Sequence, residues 1–245
     1  MNQLSKSHSL ILATRIFCVS IIFFFINSCS SHPTYKYPHD KNVSSNNGTP
    51  KNSKSNYFQY NWFLNYFLNR NPDSNDLDSL IVESISKDLF LTHEPVLFNY
   101  YLDKPTIRLI WDRSFAPLIV LRFEKRENGI YIIEKNLPRR THDFRFEKKI
   151  SSYIIAYKTH VSERILNSFN WNGYQKKLND YQFFNQSSNS YQSGLDGSTW
   201  TLEIHNSNSY KVVSRWHPNS NNYPEFRKLC DYLIDQSSYA KEERY

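Results

Sequence analysis

This sequence has few glycine residues and lacks the common short catalytic motifs. Only 5 of the 245 residues are glycine, which argues against collagen-like, glycine-rich linker and propeller-type repeats. The sequence contains no glycine-rich phosphate loop, GxSxG nucleophile elbow, HExxH zinc motif, CxxC pair or EF-hand loop. We therefore predict no cofactor, no metal site and no catalytic residue, and an enzyme would need a site assembled from distant parts of the chain.

Charge and apolar content bound the class of protein. Apolar residues make up 39% of the chain, enough for one packed domain at this length. The net charge is +7, but the lysines and arginines are dispersed, which is typical of a solvated surface. Because nucleic-acid binding needs a clustered basic patch, we predict no nucleic-acid partner.

The first 28 residues are organised as a secretion signal. Basic residues precede an apolar run over Ile16–Ile26 that contains no charged residue and only Ser20 as a polar one. This run is well below the roughly 20 residues that a membrane-spanning helix needs. We therefore predict a cleaved signal peptide over residues 1–28 rather than a permanent transmembrane anchor.

The apolar run ends in Ile26-Asn27-Ser28-Cys29, which resembles the lipobox of bacterial lipoproteins. The resemblance implies cleavage before Cys29 and lipidation of its side chain, with an ordinary cleaved signal or an uncleaved anchor as the alternatives. By the sorting pattern of this family, Ser30 implies delivery to the outer membrane of a Gram-negative cell, facing the periplasm. The implied partner is the membrane, contacted through the lipid.

Residues 29–55 have the composition of a disordered tether, because they carry almost no aliphatic side chain to bury. A single folded domain is predicted over 56–236 and a flexible tail over 237–245. With Cys18 in the leader and Cys29 at its end, Cys230 has no intrachain disulfide partner. We predict that Cys230 is a small buried hydrophobic residue, with a reactive thiol or an intermolecular bridge as the alternative.

Turn, strand and helix signals agree best near the C-terminus. Asp196-Gly197 is a turn pair, and alternating apolar and polar residues over Trp200–His205 predict a half-buried strand. The return strand is Tyr210–Trp216, and a closing helix follows it up to Gln236. The pattern DGxxWxxE followed by RWxP resembles the C-terminal segment of uncharacterised bacterial exported proteins and lipoproteins, a family that implies no activity.

The register of this hairpin decides which of its side chains belong to the core. We predict that Trp200 lies opposite Trp216, which places both tryptophans in the structural core of the hairpin. Glu203 and Arg215 then share the other, solvent-facing side. There they form an ion pair or, as the alternative, bind a ligand.

Helix and strand periodicities alternate over the rest of the domain. N-terminal helices are predicted over Asn56–Asn69 and Leu77–Leu89, and a short helix over Glu163–Phe169 with Ser162 as its N-cap. The predicted strands are Val96–Leu102, Thr106–Trp111, Leu118–Lys125, Ile130–Lys135 and Ile150–Tyr157. Because the connections are too short for helical crossovers, we predict the α+β class. Its mostly antiparallel sheet is built from hairpins, one of them turning at Asn128-Gly129, with N-terminal helices and the C-terminal closing helix around it.

One further polar cluster has residue types that suit chemistry. His142-Asp143 follows Arg139 and Arg140, and an imidazole and a carboxylate beside guanidinium groups suit acid/base or anion-binding work. A solvated loop between strands explains the same residues. The candidate ligand or ion-pair residues are therefore Glu203, Arg215, His142 and Asp143.

The predicted location in the cell envelope and the absence of catalytic motifs favour a binding module. We expect an envelope lipoprotein that contacts another envelope protein or a glycan or peptide ligand. The alternatives are a cell-envelope hydrolase with a dispersed active site and an immunity-type lipoprotein that inhibits a toxin. The hydrolase would be favoured by a pocket where two or more of five residues converge: His142, Asp143, Glu203, His205 and Arg215. A flat aromatic patch from Tyr57–Phe67 would favour a partner surface instead.

Overall fold

A six-stranded sheet forms the centre of the folded chain. The computed structural model describes residues 40–45, 47–52, 57–58, 84–99, 104–138, 159–188, 196–207 and 209–244. The strands are β1 (Thr106–Arg113), β2 (Leu118–Arg126), β3 (Gly129–Leu137), β4 (His160–Ile165), β5 (Ser198–Asn206) and β6 (Ser209–Trp216). They are ordered β4-β3-β2-β1-β5-β6, and every neighbouring pair is antiparallel. The predicted α+β class with an antiparallel sheet is confirmed.

Short turns connect most neighbouring strands. Arg126 pairs with Gly129, so Glu127 and Asn128 form the turn between β2 and β3. The φ angle of Gly129 is 143°, a conformation that glycine adopts without the strain of a Cβ atom. The hairpin predicted at Asn128-Gly129 is confirmed.

Three helices lie among the described residues. They are α1 over residues 84–91, α2 (Trp171–Asp180) and α3 (Pro224–Asp235), with a 3₁₀ turn over Phe183–Asn185. The Asn170 side chain accepts a hydrogen bond from the Gly173 N–H (2.8 Å) and caps α2. Pro224 begins α3, where a missing N–H is tolerated.

Helices α2 and α3 cover one face of the sheet, which we call the helical face. The rings of Trp111 and Trp200 lie 5.3 Å apart in its core. The buried side chains that α3 contributes are Phe226, Leu229, Cys230, Leu233 and Ile234. The predicted closing helix is confirmed, and Cys230 is fully buried within it.

Segments that precede β1 cover the opposite face, which we call the N-terminal face. The apolar side chains packed there include Tyr57, Phe58, Ile85, Leu89 and Val96 from these segments, and Ile110, Val120 and Val212 from the sheet. The central strands are therefore buried on both faces, whereas β4 at the edge is mostly exposed. The prediction that one side of the β5–β6 hairpin faces solvent is wrong.

The register of the β5–β6 hairpin differs from the prediction by one residue. Trp200 pairs with Arg215 rather than with Trp216. A one-residue slip moves a side chain to the other face, so Trp200 is fully buried on the helical face while Trp216 projects from the opposite side and is half-buried. The prediction fails because apolar side chains occupy both faces, as the neighbours Val212 and Val213 show.

Two local predictions are also wrong. His160–Ile165 is a strand paired with β3, so Ser162 caps no helix, and its hydroxyl donates a hydrogen bond to Glu134 instead (3.2 Å). Residues 94–99 have no strand structure, although a strand was predicted from Val96. In both places contacts with distant residues override the local preference.

The N-terminal boundary predicted for the domain is too late in the chain. The Asn99 amide donates hydrogen bonds to the carbonyl of Asp40 (2.9 Å) and to the hydroxyl of Ser44 (2.8 Å). The Val96 N–H donates to the carbonyl of Gly48 (2.8 Å). The described residues between 40 and 52 therefore belong to the folded body rather than to a disordered tether, because hydrogen bonds compensate for their low apolar content.

The C-terminal residues pack against the sheet instead of forming the predicted flexible tail over 237–245. The N–H of Ser238 donates to Glu134 (3.0 Å). Arg113 Nη1 donates to Glu242 (2.8 Å), and Arg244 Nη1 donates to Asp231 (3.0 Å). These contacts hold residues 238–244 in place through polar side chains, a kind of contact that the apolar pattern does not reveal.

Several predicted elements lie outside the described residues. They are the leader over residues 1–28, most of the Asn56–Asn69 helix, the first part of the Leu77–Leu89 helix and the Ile150–Tyr157 strand. Within the part of the chain that the structure describes, no helix combines the length and apolar character needed to cross a bilayer.

Candidate functional site

Glu203, one of the predicted ion-pair residues, is fully buried on the N-terminal face. Arg215 pairs with Trp200 and therefore projects from the helical face. Glu203 accepts hydrogen bonds from Arg108 Nε (2.5 Å) and from the hydroxyl of Tyr210 (2.8 Å). The predicted ion pair between Glu203 and Arg215 is wrong, because the two side chains lie on opposite sides of the sheet.

Glu203 belongs to a row of charged side chains that crosses the N-terminal face. Glu203 on β5 lies opposite Arg108 on β1, and Arg108 lies opposite Arg122 on β2. Glu94, from the loop after α1, places its carboxylate 2.6 Å from the Lys135 ammonium nitrogen. The same carboxylate is 3.3 Å from Arg108 Nη1 and 3.6 Å from Arg122 Nε. We call these five residues the buried charge row.

The buried charge row fastens the loop after α1 to the sheet. Arg108 Nη1 donates to the carbonyl of Pro95 (2.6 Å), and Lys135 Nζ donates to the carbonyl of Thr92 (2.6 Å). The Tyr57 hydroxyl donates to the carbonyl of Glu94 (3.0 Å). Because each charge is buried against an opposite charge, removal of one partner would leave the other without compensation.

Electrostatic coupling keeps two members of the row, Glu94 and Arg108, ionised. Burial alone would raise the pKa of Glu94, but the charges of Arg122, Lys135 and Arg108 outweigh burial and lower this pKa to about 2. Burial would lower the pKa of Arg108, and the Glu203 and Glu94 carboxylates raise it above its ordinary value instead. Carboxylates held as ions by neighbouring cations are poor proton acceptors at neutral pH. The row is therefore suited to structural ion pairing rather than to proton transfer.

Arg215 lines a small cavity where β6 meets the start of α3. The lining residues are Gln186, Ser187, Arg215, Tyr223, Glu225 and Phe226, and the volume is about 210 Å³. The guanidinium carbon of Arg215 lies 4.9 Å from the centre of the Tyr223 ring and 5.7 Å from that of Phe226. We call this space the Arg215 cavity.

Arg215 has no carboxylate partner among the described residues, although it is only 5% exposed. Its Nη1 donates to the carbonyl of Ser214 (2.7 Å), and its Nη2 donates to the carbonyl of Ser187 (2.7 Å) and to the side chain of Gln186 (3.4 Å). Its Nε has no hydrogen-bond partner in the described part of the chain. Every other described arginine contacts a carboxylate, so Arg215 differs from them in having no such contact within the described ranges.

A second cation lies beside Arg215 on the same face of β6. Lys211 Nζ donates to the carbonyl of Gln186 (2.6 Å). Burial lowers the pKa of Lys211, and the positive charge of Arg215 lowers it further. Burial likewise lowers the pKa of Arg215. Two cations therefore lie on this face of β6, and Glu225 is the acidic residue that lines the cavity.

The start of helix α3 also contributes positive potential at the cavity. Tyr223 occupies the N-cap position with φ of 60° and provides no side-chain cap, and Glu225 and Phe226 in the first turn line the Arg215 cavity. The first N–H groups of a helix lack intrahelical partners, and the helix dipole makes that end positive. A guanidinium and an uncapped helix start therefore meet at one cavity, an arrangement that favours anions.

The remaining predicted site residues are not part of the buried charge row or of the Arg215 cavity as the structure describes them. His142, Asp143 and Cys29 lie outside the described residues. His205 is fully buried on the N-terminal face, with its Nδ1 2.7 Å from the carbonyl of Leu97. Among the described residues, Glu203 and Arg215 do not converge, and no group of three or more His, Cys, Asp or Glu side chains could hold a metal ion.

Sequence reasoning missed both the buried charge row and the surroundings of Arg215. The available signal was the position of Arg108 and of Arg122, each of which lies within a strand between two apolar residues. Such positions are inward-facing when both sides of a sheet are covered. Their partners, such as Glu94, could not be found because no local pattern joins them.

The comparisons with known proteins add no family to these observations. No protein-family model matches the chain, and no curated protein matches it significantly.

Proposed function

We propose that this protein is a lipoprotein of the outer membrane whose domain binds a ligand or partner in the periplasm. The observation that carries the proposal is the sequence Ile26-Asn27-Ser28-Cys29 at the end of the apolar run of the leader. Each buried CH₂ group of an acyl chain stabilises membrane attachment by about 0.8 kcal/mol, so a multiply acylated Cys29 would stay on the membrane.

The side chains of the domain support a binding role. The side chains of the buried charge row contact each other and are covered by the N-terminal segments, so they serve the fold. The Arg215 cavity offers a cation, hydrogen-bonding groups and two aromatic rings, which are groups that recognise and orient a ligand. We therefore favour a binding module over the cell-envelope hydrolase.

The anchor is tested by the Cys29→Ser variant expressed in a Gram-negative host. We expect the wild-type protein to incorporate labelled palmitate and to fractionate with the outer membrane, and the variant to lose both properties because serine has no thiol to acylate. Cys18→Ser is the matched control, since it changes a cysteine of the leader outside the lipobox and should keep both. Persistence of label and membrane fractionation in Cys29→Ser would contradict the anchor.

A further inference from the structure

We infer that the Arg215 cavity binds the carboxylate of a small ligand, such as the C-terminus of a peptide. The inference rests on the proposed binding function and names the chemical class of its ligand. Two independent features meet at the cavity: a guanidinium without a carboxylate partner among the described residues, and the uncapped N-terminus of a twelve-residue helix.

The first feature is the state of Arg215. A guanidinium that is 5% exposed has given up nearly all of its hydration, and buried charges in proteins are normally paired with an opposite charge. Carbonyl and amide oxygens satisfy Nη1 and Nη2, whereas Nε has no partner in the described chain. An anion bound in the cavity would supply the missing opposite charge and relieve the repulsion between Arg215 and Lys211.

The second feature is the geometry of the helix start. Glu225 and Phe226 are in the first turn of α3, and both line the cavity that Arg215 lines. N–H groups in the first turn point away from the helix body and carry the positive end of the dipole. Together with Arg215 they provide charge and donors for one set of ligand oxygens.

The size and charge of the cavity select a carboxylate over a larger or more highly charged group. Its volume of about 210 Å³ is below the 300–1,000 Å³ of pockets that enclose whole drug-sized ligands, so it suits the end of a ligand. Glu225 lines the same cavity and opposes a doubly charged anion such as phosphate more strongly than a monoanion. The rings of Tyr223 and Phe226 can contact an apolar side chain next to the carboxylate.

The test is calorimetric titration of the full chain, purified in detergent at pH 7.5. The probes are N-acetyl-alanyl-alanine, its C-terminal amide, which lacks only the negative charge, and inorganic phosphate. We expect the free acid to bind and the amide and phosphate to bind at least about ten-fold more weakly, because charge-assisted hydrogen bonds are roughly twice as strong as neutral ones.

Three variants assign the binding to the cavity. Arg215→Gln should weaken binding of the free acid about ten-fold or more. Glu225→Gln, at an exposed position that should leave the fold intact, should strengthen it about two- to five-fold by removing a like charge. Arg126→Gln, which changes an arginine at the β2–β3 turn, should leave the affinity unchanged. Melting curves of all variants show whether they are folded, and Glu225→Gln with the acid–amide comparison decides the matter if Arg215→Gln is unfolded.

Four outcomes would overturn the inference: no binding of the free acid, equal binding of acid and amide, preference for phosphate, or unchanged affinity in folded Arg215→Gln. These results are independent of the membrane fractionation of Cys29→Ser. A failed titration beside a successful fractionation would remove the carboxylate site and leave the anchored protein, and the reverse result would remove the anchor alone.

Discussion

Replacement of Glu94 by glutamine tests whether the buried charge row stabilises the fold. Glu94→Gln keeps the size of the side chain and removes its negative charge. The change would leave Arg108, Lys135 and Arg122 facing an uncharged amide at positions where they are now 2.6 to 3.6 Å from a carboxylate. We expect the free energy of unfolding at pH 7 to fall by about 3–5 kcal/mol, the usual loss when a buried ion pair is broken on one side.

The pKa of Glu94 gives a second estimate of how much this side chain contributes to the free energy of unfolding. Its neighbours lower this pKa from 4.5 to about 2, and each unit corresponds to about 1.4 kcal/mol, so the ionised side chain contributes roughly 3 kcal/mol. Since the folded-state pKa lies below the unfolded-state value, this stabilisation is fully present above pH 4.5. It is lost as the pH falls through the folded-state pKa near 2.

Urea unfolding measures the effect. Titrations of the wild-type protein and Glu94→Gln at pH 7 and again at pH 3 give the two free energies of unfolding by linear extrapolation. The difference between the proteins should be largest at pH 7 and smaller at pH 3, because the unfolded wild type is then protonated at Glu94. If the free energy of unfolding falls with urea concentration at the same slope for both proteins, then both expose the same amount of surface on unfolding.

The control is Glu163→Gln, which removes a carboxylate 2.6 Å from Arg126 Nη1 at a position that is 47% exposed. An exposed ion pair contributes about 0–1 kcal/mol, so this variant should unfold almost like the wild type. A loss below about 1 kcal/mol for Glu94→Gln at pH 7, or a loss equal to that of the control, would refute the stabilising role of the row.

Three further predictions concern the helical face and its surroundings. Trp200→Ala should lower the free energy of unfolding by about 3–5 kcal/mol in urea titrations. Trp216→Ala, at a half-buried position, should lower it by less than half as much, and equal losses would contradict the observed register. Gly197→Ala should lower the melting temperature, because φ is 135° and a Cβ atom would lie 3.0 Å from the Trp216 ring; an unchanged melting curve would contradict this. Cys230, whose thiol pKa burial raises, should resist iodoacetamide in the folded protein and react in urea, as mass spectrometry of labelled peptides would show; rapid labelling without urea would place it at the surface.

The parts of the fold that follow from local signals were predictable. Strands β1, β2 and β3 and the turn at Asn128-Gly129 have β-rich sequences bounded by turn residues. Helix α3 has an apolar stripe and an initial proline. The signals for each of these elements lie within about a dozen neighbouring residues. The predicted type and approximate limits of each element therefore agree with the structure.

The parts that depend on distant contacts were not predictable. His160–Ile165 contains Ser162 followed by Glu163, a pair compatible with a capped helix start, and only pairing with β3 makes the segment a strand. The register of β5 on β6 depends on which face is covered, and here the N-terminal segments cover the second one. Glu94 and Arg108 meet because the loop after α1 folds back over the sheet, and composition alone does not encode that path.

Folding of residues 40–52 onto the domain shortens the linker that would join the domain to a lipid if Cys29 were acylated as proposed. Only residues 30–39 separate Cys29 from Asp40, and that stretch can span at most roughly 35–40 Å even when fully extended. A disordered linker that extended to residue 55, as predicted from the sequence, could span about 90 Å. If Cys29 is acylated, Asp40 at the start of the folded body stays within roughly 40 Å of the lipid, and a ligand of the domain has to approach the bilayer to within that distance plus the width of the domain.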